Sequence, residues 1–464
     1  MQNGFPAASQ DAKRPMTLPL RHIASLAVAI AFTLMGQSTL ANAAQAVQHA
    51  SSSSTASPWV LAWATAQQPV SRQAGTPAFN RAPDFAAHTL RQIIQIHLGG
   101  KAWRLRLSNR YGDTPITITA ASLAQAGQRA GLAGQPVAIT FGGARGVTLA
   151  PGASRESDPV PVALRTGAAG VSLTVGANTP APGTWHKVAS QVAYVSPPGD
   201  HTMDVSGEAF KGGATSWLFI DALEVRASSE SETPSQSTSA QSGAQREVQP
   251  RVAVAIGDSI TDGMRSSLNG NQRWPDFLAR RLAEHPATAA VSVVDLGISG
   301  NRLLSDSPCY GEKLAGRFEH DAIQAAGARY IMVLIGINDI NFQDMPPRKG
   351  LDCDFPHTPV NASDLIAGYK ALIATAHGAH RRIYGATLTP ASLPPAREAI
   401  RLAANRWIRD SGAFDAVIDF DQAVRDPAQP DRLLHRYDSD DHVHPNDAGY
   451  QAMAQAIPLS LFEH

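Results

Sequence analysis

The sequence predicts an α/β fold, with a parallel sheet between two helical layers, preceded by an all-β sandwich or jelly-roll domain. Three observations predict it. Short apolar runs at 252–256, 291–296, 330–335, 383–388 and 416–420 alternate with segments of helical period, the pattern of parallel strands buried on both faces under helices. Residues 58–226 instead carry short runs of period two, broken by Gly and Pro, as antiparallel sandwiches do. Between these regions, residues 227–250 are rich in Ser, Glu, Gln and Thr, with Val248 the only large apolar residue, and are read as a flexible linker.

Length and charge bound the function. A chain of 464 residues, 43% apolar, has room for two or three domains with real cores. Lys plus Arg number 39 and Asp plus Glu number 39. No net field then favours nucleic acid or an anionic membrane surface, and a small-molecule or polysaccharide substrate is expected instead.

Residues 1–44 read as a secretory signal. Lys13, Arg14 and Arg21 precede an apolar stretch at 23–35, and Ala41-Asn42-Ala43 supplies a small-x-small cleavage pattern. The stretch is shorter than the roughly 18–20 residues that span a bilayer, so cleavage is expected to leave no membrane span. Residues 45–57, Ser-rich and of low complexity, are expected to be a disordered spacer. Export implies a secreted or periplasmic location, where the two cysteines, Cys309 and Cys353, are expected to pair. Two distant cysteines with no CxxC do not make a zinc site, and no metal or other cofactor is expected.

Within 58–226, Leu105 and Leu107 alternate with Arg104 and Arg106. Ile116 and Ile118 alternate with threonines, and Val137, Ile139 and Phe141 share one parity. Trp59, Trp63, Trp103, Trp185 and Trp217 fall here. They are expected to pack in the core or at its edge, with sugar stacking on exposed indoles as the alternative.

Beyond the linker, the stretch RVAVAIGDSITDG runs from Arg251 to Gly263. It reads as a buried strand that delivers Ser259 into a turn. Leu365, Ile366, Tyr369, Leu372, Ile373 and Ala376 follow helical spacing, as do Ile400, Ala404, Trp407 and Ile408. In an open parallel sheet the loops after successive strands share one rim, where sites form. That rim collects Asp258 and Ser259, then Gly297-Ile298-Ser299-Gly300-Asn301, then Gly336-Ile337-Asn338-Asp339; near the C-terminus stands Asp441-His442-Val443-His444-Pro445-Asn446. Acyl transfer requires such parts: a hydroxyl, an imidazole to take its proton, a carboxylate to orient the imidazole, and donors for the oxyanion.

The ordered blocks GDSITDG, GISGN, GIND and DHVHPN resemble those of the SGNH hydrolases, also called GDSL esterases and lipases, and span nearly all of 251–464. The resemblance implies a flavodoxin-like three-layer sheet. It also implies a nucleophile at Ser259, with an oxyanion hole from the backbone N–H groups of Ser259 and Gly300 and the side-chain amide of Asn338. His444 becomes the base and Asp441 its partner, with Asp258, Asn301 and Asp339 in support. Isoleucine stands where the family has leucine after the nucleophile, and histidine follows Asp441. The β domain, and residues 314–321 with Arg317 and Phe318, are similar to a two-domain secreted bacterial branch.

Spacing alone leaves His442 and His444 both open as the base; the family pattern points to His444. His442 with Asp438 and Asp440 forms no full ligand set for a metal. A GxSxG elbow and an SxxK motif are absent around Ser259, and GDSITDG lacks the Walker glycines and lysine. The expected activity is therefore hydrolysis of carboxylic esters through an acyl-enzyme, on short acyl groups such as acetyl on a carbohydrate. A lipase or aryl esterase of the same mechanism, and a glycan-binding protein with an inactive hydrolase scaffold, are the alternatives.

Overall fold

A computed structural model describes residues 58–71, 76–226, 249–343 and 353–463. The expected signal (1–44), the spacer (45–57) and all but the last two residues of the linker lie outside the described residues. So does the middle of the segment 342–359.

The second half of the chain builds a parallel sheet of five strands. In chain order they are Arg251–Gly257, Val291–Gly297, Ala328–Leu334, Arg382–Ala386 and Ala416–Ile418, and they lie in the order second, first, third, fourth, fifth. The first two connections thus step to opposite sides of the first strand. This reversal opens a crevice at the carboxyl ends of the strands, where α/β sheets bind ligands. Val252, Ala253, Val254, Ala255 and Ile256 are all buried, which explains why the central strand reads as an unbroken apolar run. The helices Trp274–Glu284, Ala362–Gly378, Pro395–Asp410 and Asp447–Gln455 accompany the sheet, each with an apolar side among its buried residues. Asn361 caps the second of these from Ser363 and Asp364 N–H groups, and Asn446 caps the last from Gly449 N–H.

The fourth and fifth strands end two residues earlier than their apolar runs, at Ala386 and Ile418. Asp419 explains the second stop, because its side chain accepts from Gln422 N–H and starts the helix Phe420–Val424.

Residues 58–226 form three sheets in which every pairing is antiparallel. The largest centres on His88–Ile96, Gly167–Val175 and Ile116–Gln125; the second joins Trp59–Ala64, Ile220–Arg226, Trp103–Ser108 and Ser154–Glu156. The smallest, Trp217–Leu218 with Thr184–His186 and Gln68–Pro69, faces the parallel sheet's rim. Trp63, Trp103, Trp185 and Trp217 are buried, and the Arg104 and Arg226 guanidinium groups lie 5.0 and 4.8 Å from the Trp59 ring. The four buried indoles serve packing and present no face to a sugar.

The two regions share one apolar core, in which Trp63, Leu105 and Ile94 join Val254, Val293 and Leu296. Leu61 N–H donates across the junction to Ala326 O at 3.1 Å. Each fully buried aliphatic side chain contributes about 1.5–3 kcal/mol, so the junction is part of what holds both sheets.

Cys309 and Cys353 are joined by a disulfide, with Cα atoms 5.2 Å apart and a separation of 44 positions in sequence. Cys309 N–H also donates to Cys353 O at 3.0 Å. Closing a loop of this size restricts the unfolded chain. The Cys353→Ser variant should therefore be less stable by roughly 2–4 kcal/mol, read as a lower urea midpoint than that of the oxidised parent. An unchanged midpoint, or two titratable thiols in the denatured oxidised parent, would contradict it.

Candidate active site

Ser259 opens a one-turn helix, Ser259–Asp262, directly after the central strand. Asp258 caps that helix from Ile260 N–H at 3.0 Å. Gly263, at φ 80°, ends it. As the first helical residue, Ser259 has no intrahelical acceptor for its N–H.

Across the rim, Ser259 Oγ lies 2.8 Å from His444 Nε2. His444 Nδ1 lies 2.8 Å from Asp441 Oδ2, and the His444 and Val443 N–H groups donate to Asp441 Oδ1 at 2.8 and 3.0 Å. Three residues suffice because the loop folds back on itself: Ser439 N–H donates to His444 O, and the Asn446 side chain donates to Asp438 O. Burial opposes ionisation of Asp441, but the His444 ring and these amides outweigh it and hold the carboxyl well below the usual carboxylate range. Arg265 Nε adds a donor at 3.0 Å. His442, its side chain 68% exposed, turns outward to Asp438 at 2.6 Å. Of the two histidines, His444 is the one against Ser259.

The loop after the second strand brings Gly300 to the same place. Its φ is 81°, and an added Cβ would fall 2.2 Å from the Tyr310 ring, so only glycine fits. Asn338 stands in the first turn of the helix Ile337–Phe342, after the third strand, and its Nδ2 donates to Asn301 O at 3.1 Å. The Asn301 side chain in turn donates to Tyr310 O and Glu312 O at 2.9 and 2.8 Å. Asp339 receives Leu303 and Leu304 N–H at 2.8 and 3.0 Å. Ser259, Gly300, Asn338, His444 and Asp441 therefore meet at one rim, while Asp258, Asn301 and Asp339 hold the backbones that carry them.

Several residues in this assembly had no assigned role in the sequence. Arg317, fully buried, donates to Gly257 O and Leu296 O at 2.9 Å each and to Asn301 Oδ1 at 3.1 Å. Asp262 Oδ2 accepts from Ser299 N and Oγ at 2.8 and 2.6 Å. The Tyr310 ring stacks on Phe342 at 5.4 Å, beside Gly300. Position inside the GDSITDG and GISGN blocks was the available signal for Asp262 and Ser299. Tyr310 had none beyond its place next to a cysteine. Among the described residues, no group of three or more His, Cys, Asp or Glu is placed to hold a metal.

A family model described as the GDSL-like lipase/acylhydrolase family matches residues 255–452. Solved structures similar to this chain include an acetylxylan esterase from Geobacillus stearothermophilus, at 21% identity, TM-score 0.33, over 44% of this chain and 91% of that one. Others are an alpha/beta hydrolase enzyme from the metagenome of Lake Arreo, at 21% identity, TM-score 0.34, over 44% and 92%, and a GDSL-like lipase from Bacteroides thetaiotaomicron, at 18%, 0.31, 44% and 85%. No curated protein matches the chain significantly.

The site stores a pH dependence. Burial, reinforced by the charges of Asp339 and Asp262, pushes Asp258 up to about 7. Its Oδ2 is buried without a hydrogen-bond partner, as suits a neutral carboxyl. Between about pH 4, where an unfolded aspartate ionises, and about pH 7, the folded state binds the extra proton. Stability from this group is therefore greatest at the acid end and falls as pH rises through that window. Asp258→Asn keeps an acceptor for Ile260 N–H and removes the titration. Urea unfolding across the window should show the variant losing stability less steeply than its parent, by up to about 1.4 kcal/mol per pH unit; parallel curves would contradict the assignment.

Proposed function

We propose, from the match of residues 255–452 to the model of the GDSL-like lipase/acylhydrolase family, that this protein is an exported serine esterase that removes short acyl groups, such as acetyl, from a carbohydrate. The observation that carries the proposal is the continuous chain from Ser259 Oγ through His444 to Asp441, with both hydrogen bonds at 2.8 Å.

In this reading Asp441 stays ionised and holds His444 with Nδ1 protonated, so Nε2 presents its lone pair to Ser259. As Ser259 Oγ attacks the ester carbonyl, its proton passes to His444 Nε2. The negative charge that develops on the carbonyl oxygen is met by the Ser259 and Gly300 N–H groups and by Asn338 Nδ2, donors fixed before the reaction begins. Collapse of the tetrahedral adduct returns the proton from His444 to the departing alkoxide and leaves the acyl group on Ser259. Water then repeats the sequence, with His444 again taking the proton, and releases the acid. Ser259 and Asn338 are 5% and 8% exposed, which keeps solvent from competing for the oxyanion donors.

Two features support the substrate and location. The stacked Tyr310 and Phe342 rings, both only half-buried, put partly exposed apolar surface beside Gly300, where the alcohol part of a carbohydrate ester would lie. A disulfide suits an oxidising compartment. Among the described residues, no helix is long and apolar enough to cross a membrane.

Ser259→Ala should lower turnover of p-nitrophenyl acetate by about 10⁶ while the protein stays folded. A variant keeping several per cent of parental activity would sink the assignment of the nucleophile. Asn338→Ala removes a donor aimed at charge present only in the transition state, so kcat should fall by about 10² to 10³ with little change in KM. A raised KM at unchanged kcat would make Asn338 a substrate clamp instead. Across acyl chain lengths, acetate esters and acetylated polysaccharide should be preferred to octanoate esters, and the reverse order would replace the substrate proposed with a lipid.

A further inference from the structure

We propose that His186, contributed by the β-sandwich region, is a positioning residue of the hydrolase that acts through Asp262 to fix the loop presenting the Gly300 amide. The proposal rests on the reading of Gly300 as an oxyanion donor.

His186 ends the strand Thr184–His186 and is buried, its side chain 2% exposed. Its Nδ1 lies 2.8 Å from Ala66 O, while its Nε2 lies 3.0 Å from Val188 O and 3.0 Å from Asp262 Oδ1. All three partners are acceptors. A neutral imidazole carries one N–H and would turn a lone pair on a carbonyl oxygen; the imidazolium donates at both nitrogens and satisfies the set. The Trp217 ring, 5.2 Å away, packs against the imidazole and holds its plane. Burial opposes the charge on His186, but the Asp262 carboxylate and the Ala66 carbonyl outweigh it and hold the imidazole above its ordinary pKa.

Asp262 then faces two ways. One oxygen takes the His186 proton donor, and the other takes both Ser299 N–H and Ser299 Oγ–H, at 2.8 and 2.6 Å. Ser299 is the residue before Gly300. Two hydrogen bonds therefore separate the β-sandwich from the peptide that carries the oxyanion donor. The close approach leaves no slack, since a Cβ on Gly297 would fall 2.3 Å from Asp262 N.

A second contact grips the far end of the same loop. Gln68 Nε2 donates to Cys309 O at 3.0 Å, and Asn80 Nδ2 lies 2.7 Å from Cys309 Sγ. The next residue, Tyr310, covers Gly300. The loop is thus held from the β-sandwich at its start and at its close, which a module attached only by a linker would not do.

The test is steady-state hydrolysis of p-nitrophenyl acetate by the full chain carrying His186→Ala, His186→Gln, Ser299→Ala or His186→Gln with Ser299→Ala, each checked for folding. Displacing a transition-state donor should cut kcat about 10²-fold in His186→Ala with KM nearly unchanged. His186→Gln, which retains an N–H toward Asp262, should recover part of that loss. Because both residues act through Asp262, the double variant should be little worse than the poorer single one. Parental kcat in folded His186→Gln and His186→Ala, or losses that multiply in the double variant, would overturn the proposal. If His186→Ala does not fold, the His186→Gln and Ser299→Ala cycle decides by the same criteria. Ser259→Ala run alongside separates the two readings: an inactive Ser259→Ala beside fully active His186 variants defeats this inference alone, whereas an active Ser259→Ala defeats the esterase mechanism beneath it.

Discussion

Arg317 is the cation on which the rim depends. Where the first and second parallel strands end in the interior of the protein, the Arg317 guanidinium donates to the carbonyls of Gly257 and Leu296, alongside the Ile298 N–H that Gly257 O also accepts. Asp321 Oδ2, 2.9 Å from Nη1, balances its charge, and Asn301 takes its Nε. An unpaired buried carbonyl costs about 1–3 kcal/mol, and an uncompensated buried charge costs more. The planar fork therefore ties together the strand end that leads to Ser259, the strand end that leads to Gly300, and the side chain that braces Asn338's acceptor. Lysine, with a single compact charge, could not span these directions.

Around this anchor the site is built from fixed dipoles and buried carboxyls rather than from mobile groups. Asp258 caps its own turn, while Asp262 and Asp339 each hold backbone or side-chain donors of a neighbouring loop. Burial, against the N–H groups of Leu303 and Leu304, pushes Asp339 up to about 6. Keeping such groups together costs stability near neutral pH, a cost met by the shared apolar core. In return the donors proposed for the oxyanion would need no reorganisation when charge develops, the condition under which electrostatic stabilisation is largest. The β-sandwich belongs to this arrangement, since its smallest sheet supplies His186 and Gln68 to the loop that carries Gly300.

The parallel strands were legible because burial on both faces turns each into an apolar run, and Val252 to Ile256 is the plainest case. Their order in the sheet was not written in periodicity; it came with the resemblance carried by the four blocks. The pairing of Cys309 with Cys353 followed from there being no other cysteine. His442 and His444 looked alike in sequence because both fall in one polar loop within three residues of Asp441. They are separated by a loop in which Asp440 and His442 adopt positive φ, 70° and 64°, which sends one ring to solvent and the other to Ser259. His186 was invisible, since a contact to a carboxylate 76 residues away leaves no local pattern. The tryptophans were ambiguous for a related reason: composition cannot distinguish an indole that packs against a second sheet from one that faces water.

The most direct test of the account is where an acyl-like group lands. Incubating the protein with p-nitrophenyl diethyl phosphate and mapping the product by peptide mass spectrometry should place a single diethylphosphoryl adduct on the peptide containing Ser259, with activity lost in proportion to labelling and no adduct in Ser259→Ala. An adduct on a different residue that accounts for the inhibition, or full activity in protein labelled completely at Ser259, would contradict it.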